Sequence, residues 1–262
     1  MSLSACAITV SLGRKQVLHA VDLTARPGQI TAIVGPNGSG KSTLLRALCA
    51  DVPYGGQITI NGQDVRGLKP WKLASLRAVL PQSSTLAFPF QVIEIVRLGL
   101  QSGTNAEQDE IAHAALARVG LAGYEYRFFQ ELSGGEQQRA QLARAICQVW
   151  HPLQDGSPRW LLLDEPVSSL DIAHQLQVME IARGFAARGG GVVTVMHDLN
   201  LTARYADALA LMKNGTLVAH GSLCDVLTDE NLSNAYECSL QARRTPADGG
   251  WFLLPQVSKN SR

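Results

Sequence analysis

The chain has 262 residues, of which 46% are hydrophobic, so a sizeable core is expected and a disordered protein is excluded. Its 23 lysine and arginine residues nearly balance 22 aspartate and glutamate residues, which excludes a strongly basic footprint for nucleic acid or an anionic membrane surface. The five cysteines (Cys6, Cys49, Cys147, Cys224 and Cys238) never follow C-x-x-C spacing, which argues against a metal cluster or disulfide framework and favours a reducing compartment.

The N-terminal third predicts strands. It begins without a basic or long apolar leader, and no apolar run in the chain approaches the ~18 residues of a membrane span, so we expect a cytosolic protein. Apolar runs at 5–10, 17–25 and 30–34 predict strands, and the Asn61-Gly62 turn predicts a β-hairpin over 57–65. Another strand is expected at 76–80. The antiparallel pieces would form a small region beside the strand at 30–34.

A glycine-rich stretch follows that strand. It fits G-x-x-x-x-G-K-[ST] and consists of Gly35, Pro36, Asn37, Gly38, Ser39, Gly40, Lys41, Ser42 and Thr43. Because such a loop points backbone N–H groups at an anion at a helix N-terminus, we expect it to bind a nucleotide, with Lys41 on the β/γ-phosphates and the Ser42 hydroxyl on Mg²⁺. A glycine-rich turn that fits by chance is the alternative, and the flanking strand and helix at 41–50 argue against it.

Helical patterns occupy the middle of the chain. They start at Val92, and Thr104 with Glu107 fits a capping box for a helix that runs through Val119. Residues 83–159 therefore predict an inserted helical segment. Strand-like runs return at 160–163, 192–196 and 208–212, with a helix at 172–188, and this alternation predicts a mainly parallel sheet. Asn214-Gly215 would close a further hairpin.

These elements predict a single α/β domain over residues 1–262. Its sheet would be mainly parallel, with a small antiparallel β subdomain and an inserted α-helical subdomain. We expect the nucleotide-binding core at 1–82 and 160–221 and the helical subdomain at 83–159. A C-terminal extension at 222–262 would contain short helices, the first capped by Ser222 with Asp225.

Two acidic residues, Asp164 and Glu165, end the buried strand expected at 160–163. Open α/β sheets bind ligands at the edge formed by the carboxyl ends of their strands, which is where this pair lies. Asp164 would hold Mg²⁺ directly or through water, and Glu165 would orient or deprotonate the water that attacks the γ-phosphate. The alternative is a cap for a following helix, which Pro166 and the apolar run before the pair disfavour.

A second anion site is predicted where Ser133 and Glu136 form a capping box. The helix would start with Gly134 and Gly135 and run to Trp150. An ordinary capped helix with a core face of Ala140, Ala143, Cys147 and Trp150 is the alternative. Capping alone does not require the two glycines, each of which lowers helix propensity by about 1 kcal/mol relative to alanine.

Residues 132–138 resemble the signature motif of the ATP-binding cassette family, and the other motifs of that family occur in the expected order over 17–221. The resemblance implies a P-loop ATPase fold. Gln82 resembles the glutamine that contacts Mg²⁺ and the attacking water and senses a transmembrane partner. Asp171, in Ser168-Ser169-Leu170-Asp171, resembles the aspartate of the motif at the dimer seam, and His197 resembles the histidine that contacts the γ-phosphate. Taken alone, Gln82 and His197 would be ordinary polar residues.

The resemblance further implies a head-to-tail dimer with two shared ATP sites. Each ATP would lie between Lys41 of one copy and the signature residues Ser133, Gly134, Gly135, Glu136 and Gln137 of the other. Closure on ATP and reopening after hydrolysis would supply a mechanical stroke. Family members usually place an aromatic residue against adenine, whereas this chain has Leu12 there, which weakens the expected discrimination between adenine and guanine.

A finer resemblance is to the haemin-import ATPases within the importers of haem, ferric siderophores and vitamin B12. It rests on QSSTLAFPFQV at 82–92, on QVWHPLQDGSPR at 148–159, and on the tail with YEC at 236–238 and TPADGGWFLLP at 245–255. It implies two permease subunits that dock on Phe88-Pro89-Phe90, and a periplasmic haem-binding protein reached through them. It also implies a peripheral position at the cytoplasmic face of the inner membrane. The scattered histidines predict no direct haem binding.

Three alternatives stay open at this point. A ferric siderophore or B12 importer would share every catalytic motif. A non-transport cassette clamp usually has two cassettes, a long coiled coil or a basic face, and the sequence has none of these. A scaffold that binds nucleotide without turnover is disfavoured by the presence of Glu165 and His197.

Overall fold

A computed structural model describes residues 1–82, 88–102 and 109–242, with the backbone alone at 101–102. The strands in these ranges are β1 (Leu3–Leu12), β2 (Lys15–Ala25), β3 (Ile30–Val34), β4 (Gly55–Ile60), β5 (Gln63–Asp64), β6 (Arg77–Leu80), β7 (Leu153–Gln154), β8 (Ser157–Pro158), β9 (Trp160–Asp164), β10 (Gly191–Val195), β11 (Ala208–Lys213) and β12 (Thr216–Gly221). The helices are α1 (Lys41–Leu48), α2 (Pro70–Leu76), α3 (Val92–Ser102), α4 (Asp109–Arg118), α5 (Gly134–Gln148), α6 (Ile172–Ala187), α7 (Leu199–Tyr205), α8 (Leu223–Val226) and α9 (Asp229–Tyr236). The predicted α/β class is confirmed.

The main sheet has the strand order β12-β11-β3-β10-β9-β6. Its strands run parallel from β11 to β6, and only the edge strand β12 is antiparallel to its neighbour. Every residue of β3, β9 and β10 is buried, as their continuous apolar sequences predict for a sheet covered on both faces. The carboxyl ends of these strands lead to Gly35, Glu165 and His197 at one edge of the sheet.

A smaller antiparallel sheet has the order β2-β1-β4-β5. Helix α1 lies between the two sheets, and its Leu44, Leu45 and Leu48 share one core with both. The predicted Asn61-Gly62 hairpin is confirmed, with both residues at positive φ (53° and 80°), as a two-residue hairpin turn requires.

The middle of the chain is built from α3, α4 and α5. Gly99 allows α3 to approach α5 closely, because a Cβ at this position would collide with the backbone carbonyl of Arg144. The apolar face of α5 is buried at Ala140, Ala143 and Cys147, whereas Trp150 lies after the helix and is half-buried.

Some predicted boundaries differ from the observed ones. The strand predicted at 76–80 starts at Arg77, because Leu76 closes α2, a helix that the sequence pattern did not predict. Helix α5 ends at Gln148 and not at Trp150. The β7–β8 hairpin was also unpredicted, and Asn61 holds it by donating from Nδ2 to Pro158 O (2.8 Å). The capping pair Thr104 and Glu107 lies outside the described residues. Across the described ranges, every helix is too short or too polar to cross a bilayer.

Candidate functional site

The glycine-rich loop connects β3 to α1 as predicted. Gly35, Gly38 and Gly40 all have positive φ (144°, 76° and 99°), so the loop needs glycine at these points. Gly40 is the N-cap of α1, and no side chain caps this helix. The first N–H groups of α1 are therefore available to an anion, at the end of the helix where the macrodipole favours negative charge.

Lys41 folds back over this loop. Its Nζ donates to the carbonyl oxygens of Gly35 and Pro36, both at 2.9 Å, and the side chain is buried. Burial lowers the pKa of Lys41, and the nearby carboxylates of Glu165 and Asp164 partly oppose this effect. Among the described residues, two neutral carbonyls are the hydrogen-bond partners of this buried ammonium, which would therefore gain from a negatively charged ligand in the loop.

Ser42 and Asp164 meet beside the loop. The Ser42 hydroxyl donates to Asp164 Oδ1 at 2.9 Å, and Asp164 is 6% exposed. Burial raises the pKa of Asp164, and the hydrogen bond from Ser42 partly lowers it. Together with Gln82, both residues line a cavity of about 330 Å³. Hydroxyl, carboxylate and amide oxygens are ligands that suit Mg²⁺, so the chemistry of these three side chains fits that ion.

Glu165 and His197 form a hydrogen-bonded pair at the same edge. The distance from Glu165 Oε1 to His197 Nε2 is 2.6 Å, and the side chains are 13% and 42% exposed. Glu165 has φ +51°, which is uncommon for a residue other than glycine. The sequence predicted both residues as catalytic, and the fold brings them together across 32 positions.

The predicted capping box at the start of α5 is confirmed. The Ser133 N–H donates to Glu136 Oε2 at 2.8 Å, and the Glu136 N–H donates back to Ser133 Oγ at 3.4 Å. The backbone N–H of Ser133 is the main cause of a lowered pKa at Glu136. Ser133 and Gly134 are exposed, whereas a Cβ at Gly135 would press on Ser169 O and Leu170 Cδ2. Gly135 is therefore needed for close packing against the segment before α6.

Asp171 caps α6 at the end of that segment. It accepts from the His174 N–H at 2.9 Å and lies 2.8 Å from His174 Nδ1. These contacts, led by the backbone N–H, lower the pKa of Asp171. The next residue, Ile172, is 62% exposed.

The family follows from a comparison with known sequences. A family model described as ABC transporter matches residues 18–168, more than half of the chain. The chain belongs to the ABC transporter family. Among its relatives is the hemin import ATP-binding protein HmuV of Jannaschia sp. (strain CCS1), 57% identical over 254 residues, which span 97% of this chain and 94% of the relative. The protein of the same name from Bartonella henselae is 52% identical over 256 residues, 96% of each chain.

Solved ABC transporter structures share the fold. One is a bacterial Atm1-family ABC exporter with ATP bound, with TM-score 0.77, 25% identity, and coverage of 90% of this chain and 41% of that chain. Another is a bacterial ABC transporter cassette solved as a dimer, with TM-score 0.72, 26% identity, and coverage of 85% of this chain and 99% of that chain.

Sequence reasoning missed one contact between two ABC transporter motifs. The Gln138 side chain, at the end of the signature stretch, donates from Nε2 to the carbonyl of Glu165 at 2.9 Å. Its Oε1 is buried without a hydrogen-bond partner among the described residues. Gln137, which the resemblance places against the ATP of the partner copy, donates from Nε2 to Phe129 O and Leu132 O within its own chain. A glutamine on an amphipathic helix has no local pattern that would reveal such a contact.

The stretches that carry the finer resemblance are partly described. The insertion at 148–159 contains the β7–β8 hairpin on the side of the sheet opposite the phosphate loop, and Leu153 packs against Gly189 there. The tail at 245–255 and residues 83–87 lie outside the described residues. Leu12, predicted beside adenine, is 45% exposed at the tip of the β1–β2 hairpin.

Proposed function

We propose that this chain is the ATP-hydrolysing subunit of an importer that carries haemin across the cytoplasmic membrane. The observation that carries hydrolysis is the Glu165–His197 pair, 2.6 Å apart, at the sheet edge that also holds the glycine loop and Asp164. The support for haemin is the name of relatives that are 52–57% identical over nearly the whole chain.

ATP would bind through residues 35–43. Lys41 would exchange its bonds to the Gly35 and Pro36 carbonyls for bonds to the β/γ-phosphates. Ser42, Asp164 and Gln82 would hold Mg²⁺, which neutralises charge on the phosphates when it is bound. The hydrogen bond between Ser42 and Asp164 keeps both oxygens beside the loop until then.

Glu165 would orient the attacking water and accept its proton at Oε2. His197 Nε2 holds one carboxylate oxygen, so the other oxygen is the one left to face water. The φ of +51° at Glu165 and the bond from Gln138 fix the backbone from which this carboxylate extends. His197 would also contact the γ-phosphate, as the family resemblance implies.

A second copy of the chain would complete each ATP site. The N-terminal turn of α5, with Ser133, Gly134, Gly135, Glu136 and Gln137, would contact the ATP held by the other copy; Ser133 and Gly134 are its exposed residues. Asp171 would lie at the seam, where the exposed Ile172 could be covered by the partner copy. The solved cassette that is dimeric supports this arrangement.

The permease would dock on an exposed aromatic surface made of Phe88, Tyr126 and Phe128, which are 69%, 73% and 44% exposed. Gln130 Nε2 donates to Phe88 O at 2.7 Å, and Gln91 pairs with Phe128, so the two segments lie side by side. Two permease subunits would hold the ATPase at the cytoplasmic face of the inner membrane and connect it to a periplasmic haem-binding protein. The division into a core (1–82 and 160–221), a helical subdomain (83–159) and a C-terminal extension (222–262) is part of this proposal.

Growth on haemin tests the proposal. A strain without this gene and without another haem importer receives either the intact gene or the Glu165→Gln gene, with haemin as sole iron source. We expect growth only with the intact gene, and normal growth of every strain on siderophore iron. Haemin growth without the gene would refute the cargo and leave siderophore or B12 uptake to be measured next. Haemin growth with Glu165→Gln would refute coupling to hydrolysis.

A further inference from the structure

The C-terminal helix α9 packs beside the strand that borders the phosphate loop. Its Leu232 and Ala235 are buried, and it contacts β11 and β12. The chain after the helix folds back along it, because Ser233 Oγ accepts from the Leu240 N–H at 3.0 Å and Asp229 Oδ1 accepts from the Ala242 N–H at 2.7 Å. This region lies beyond the residues that the family model matches.

Lys213, at the end of β11, binds the C-terminal end of α9 by a hydrogen bond and an ion pair. Its Nζ donates to Asn234 O at 2.7 Å and lies 3.1 Å from Glu237 Oε1. A cation at a helix C-terminus is favourable because the last carbonyls have no partner within the helix. Glu237 adopts φ +57° and ends the helix. We name Lys213, Asn234 and Glu237 the C-terminal latch.

The latch acts on a strand end that touches the phosphate loop. Met212 immediately precedes Lys213, and its carbonyl oxygen lies where a Cβ of Gly35 would be. On the same side, the Gly215 N–H donates to Ser39 O at 3.0 Å. The loop is therefore packed against the β11–β12 hairpin at two points, so that a displacement of the end of β11 would displace Gly35.

Tyr236, the last residue of α9, reaches the same glycine. Its ring packs on the core, and its hydroxyl oxygen is buried. The hydroxyl faces the Gly35 N–H, which lowers the pKa of Tyr236, although burial has the larger effect and raises it. The contact does not meet hydrogen-bond geometry, and the hydroxyl has no other hydrogen-bond partner among the described residues. A buried hydroxyl without a good partner is unfavourable, so a small movement of the loop would be enough to improve this contact.

We propose that Tyr236 is a positioning residue for the phosphate loop: its hydroxyl accepts a hydrogen bond from the Gly35 N–H when a nucleotide occupies the loop, and the C-terminal latch holds α9 in place for it. This inference rests on the proposed ATP-binding function. Reciprocity of linked equilibria requires that nucleotide binding also stabilises α9. The phosphate loop binds the phosphates equally strongly in the ground state and in the transition state. Loss of the hydrogen bond between Tyr236 and Gly35 should therefore raise KM and leave kcat unchanged.

Removal of one oxygen tests this inference. The variant Tyr236→Phe keeps the ring in the core and deletes only the hydroxyl. Tyr54→Phe is the matched control: no described residue makes a hydrogen bond of good geometry with its buried hydroxyl either, but the group that this hydroxyl faces is the Arg66 guanidinium, in a surface cavity lined by Pro53 and Arg66. Binding of ADP and of ATP to the full-length chain is measured by titration calorimetry, with steady-state ATP hydrolysis and thermal unfolding in parallel.

We expect Tyr236→Phe to weaken ADP and ATP binding about 2- to 10-fold, which is the range of a single hydrogen bond, and to raise KM by the same factor. Its kcat should equal that of the wild type, and the Tm of the nucleotide-free protein should be unchanged or slightly higher, because a buried hydroxyl without a good partner is removed. Tyr54→Phe should leave nucleotide affinity, KM and kcat unchanged. Wild-type affinity in Tyr236→Phe overturns the inference, and so does a parallel loss of kcat and Tm, which would indicate a purely structural role.

Hydrogen exchange supplies a second readout that does not depend on turnover. ADP should slow amide exchange in Asp229–Tyr236 of the wild type, and this protection should be reduced in Tyr236→Phe and in Lys213→Gln. Equal protection in all three proteins would contradict the coupling. The wild-type protein distinguishes failure of the positioning role from failure of the proposed function. If the wild type binds ATP and the variants bind it with the same affinity, only the role of Tyr236 is refuted. If the wild type binds no nucleotide, the proposed function is refuted as well.

Discussion

The substitution Gln138→Leu removes the hydrogen bond from Gln138 Nε2 to the Glu165 carbonyl (2.9 Å) and keeps a side chain of similar size. Such a bond contributes about 0.5–1.5 kcal/mol net. Glu165 holds a left-handed conformation with φ +51°, which its neighbours must maintain. If the loss of this bond misaligns Glu165 and raises the activation free energy of hydrolysis by the same amount, kcat decreases about 2- to 10-fold.

The same substitution should not weaken the fold. Gln138 Oε1 is buried without a partner among the described residues, and its removal relieves a desolvation cost of about 1–3 kcal/mol. We therefore expect an unchanged or slightly higher Tm. The assay combines kcat at saturating ATP with thermal unfolding of the same preparation.

Gln148→Leu is the matched control on the same helix. Gln148 donates from Nε2 to the carbonyls of Ala74 and Arg77, both at 2.9 Å, so its replacement should lower Tm and leave kcat unchanged. A Gln138→Leu protein with wild-type kcat would refute the reasoning. A protein that loses kcat and Tm together would show that Gln138 supports the fold and not the position of Glu165.

Three further predictions concern other parts of the site. Burial raises the pKa of Asp164, so the charged carboxylate destabilises the folded chain once the pH has risen through that pKa. Asp164→Asn should therefore raise the Tm of the nucleotide-free protein at pH 7 and raise it less, or not at all, near pH 4; an equal gain at both pH values would contradict this. Ser133→Arg should abolish hydrolysis while the isolated monomer still binds ATP, because the proposed role of Ser133 is at the ATP site of the other copy; loss of monomer binding in calorimetry would argue against a shared site. Leu12→Tyr should tighten ATP binding about 2- to 10-fold by stacking on adenine, and an unchanged Kd would exclude the β1–β2 hairpin tip as the base site.

Local patterns predicted the parts of the fold whose determinants are close in sequence. The glycine loop, the Asn61-Gly62 turn and the Ser133–Glu136 cap each depend on residues within a few positions of one another, and all three are observed. The β7–β8 hairpin was missed because Asn61, which holds it, is about a hundred residues away in sequence. Helix α2 was missed because only one turn of it is apolar.

The candidate site was predictable only in part, for the same physical reason. The apolar strand that ends at Asp164 indicates that a ligand binds at the carboxyl edge of the sheet. The approach of His197 to Glu165, however, depends on the order of strands in the sheet, which the spacing of residues along the sequence does not reveal. The end of the strand predicted Glu165 and the family resemblance supplied His197, but neither predicted that the two side chains meet. Gln138 and Tyr236 lie in stretches that carry the resemblance, but neither spacing nor resemblance gave them a role, since each acts on a backbone group far away in the sequence.

The hydrolysis rate of Glu165→Gln tests the account most directly. This change keeps the size of the side chain and a hydrogen-bonding oxygen toward His197, and it removes the carboxylate that would accept the proton of the attacking water. The account predicts that the variant binds ATP and dimerises as the wild type does, and hydrolyses ATP at least about 100-fold more slowly. Turnover close to the wild-type rate would contradict the assignment of Glu165 and, with it, the mechanism proposed for this chain.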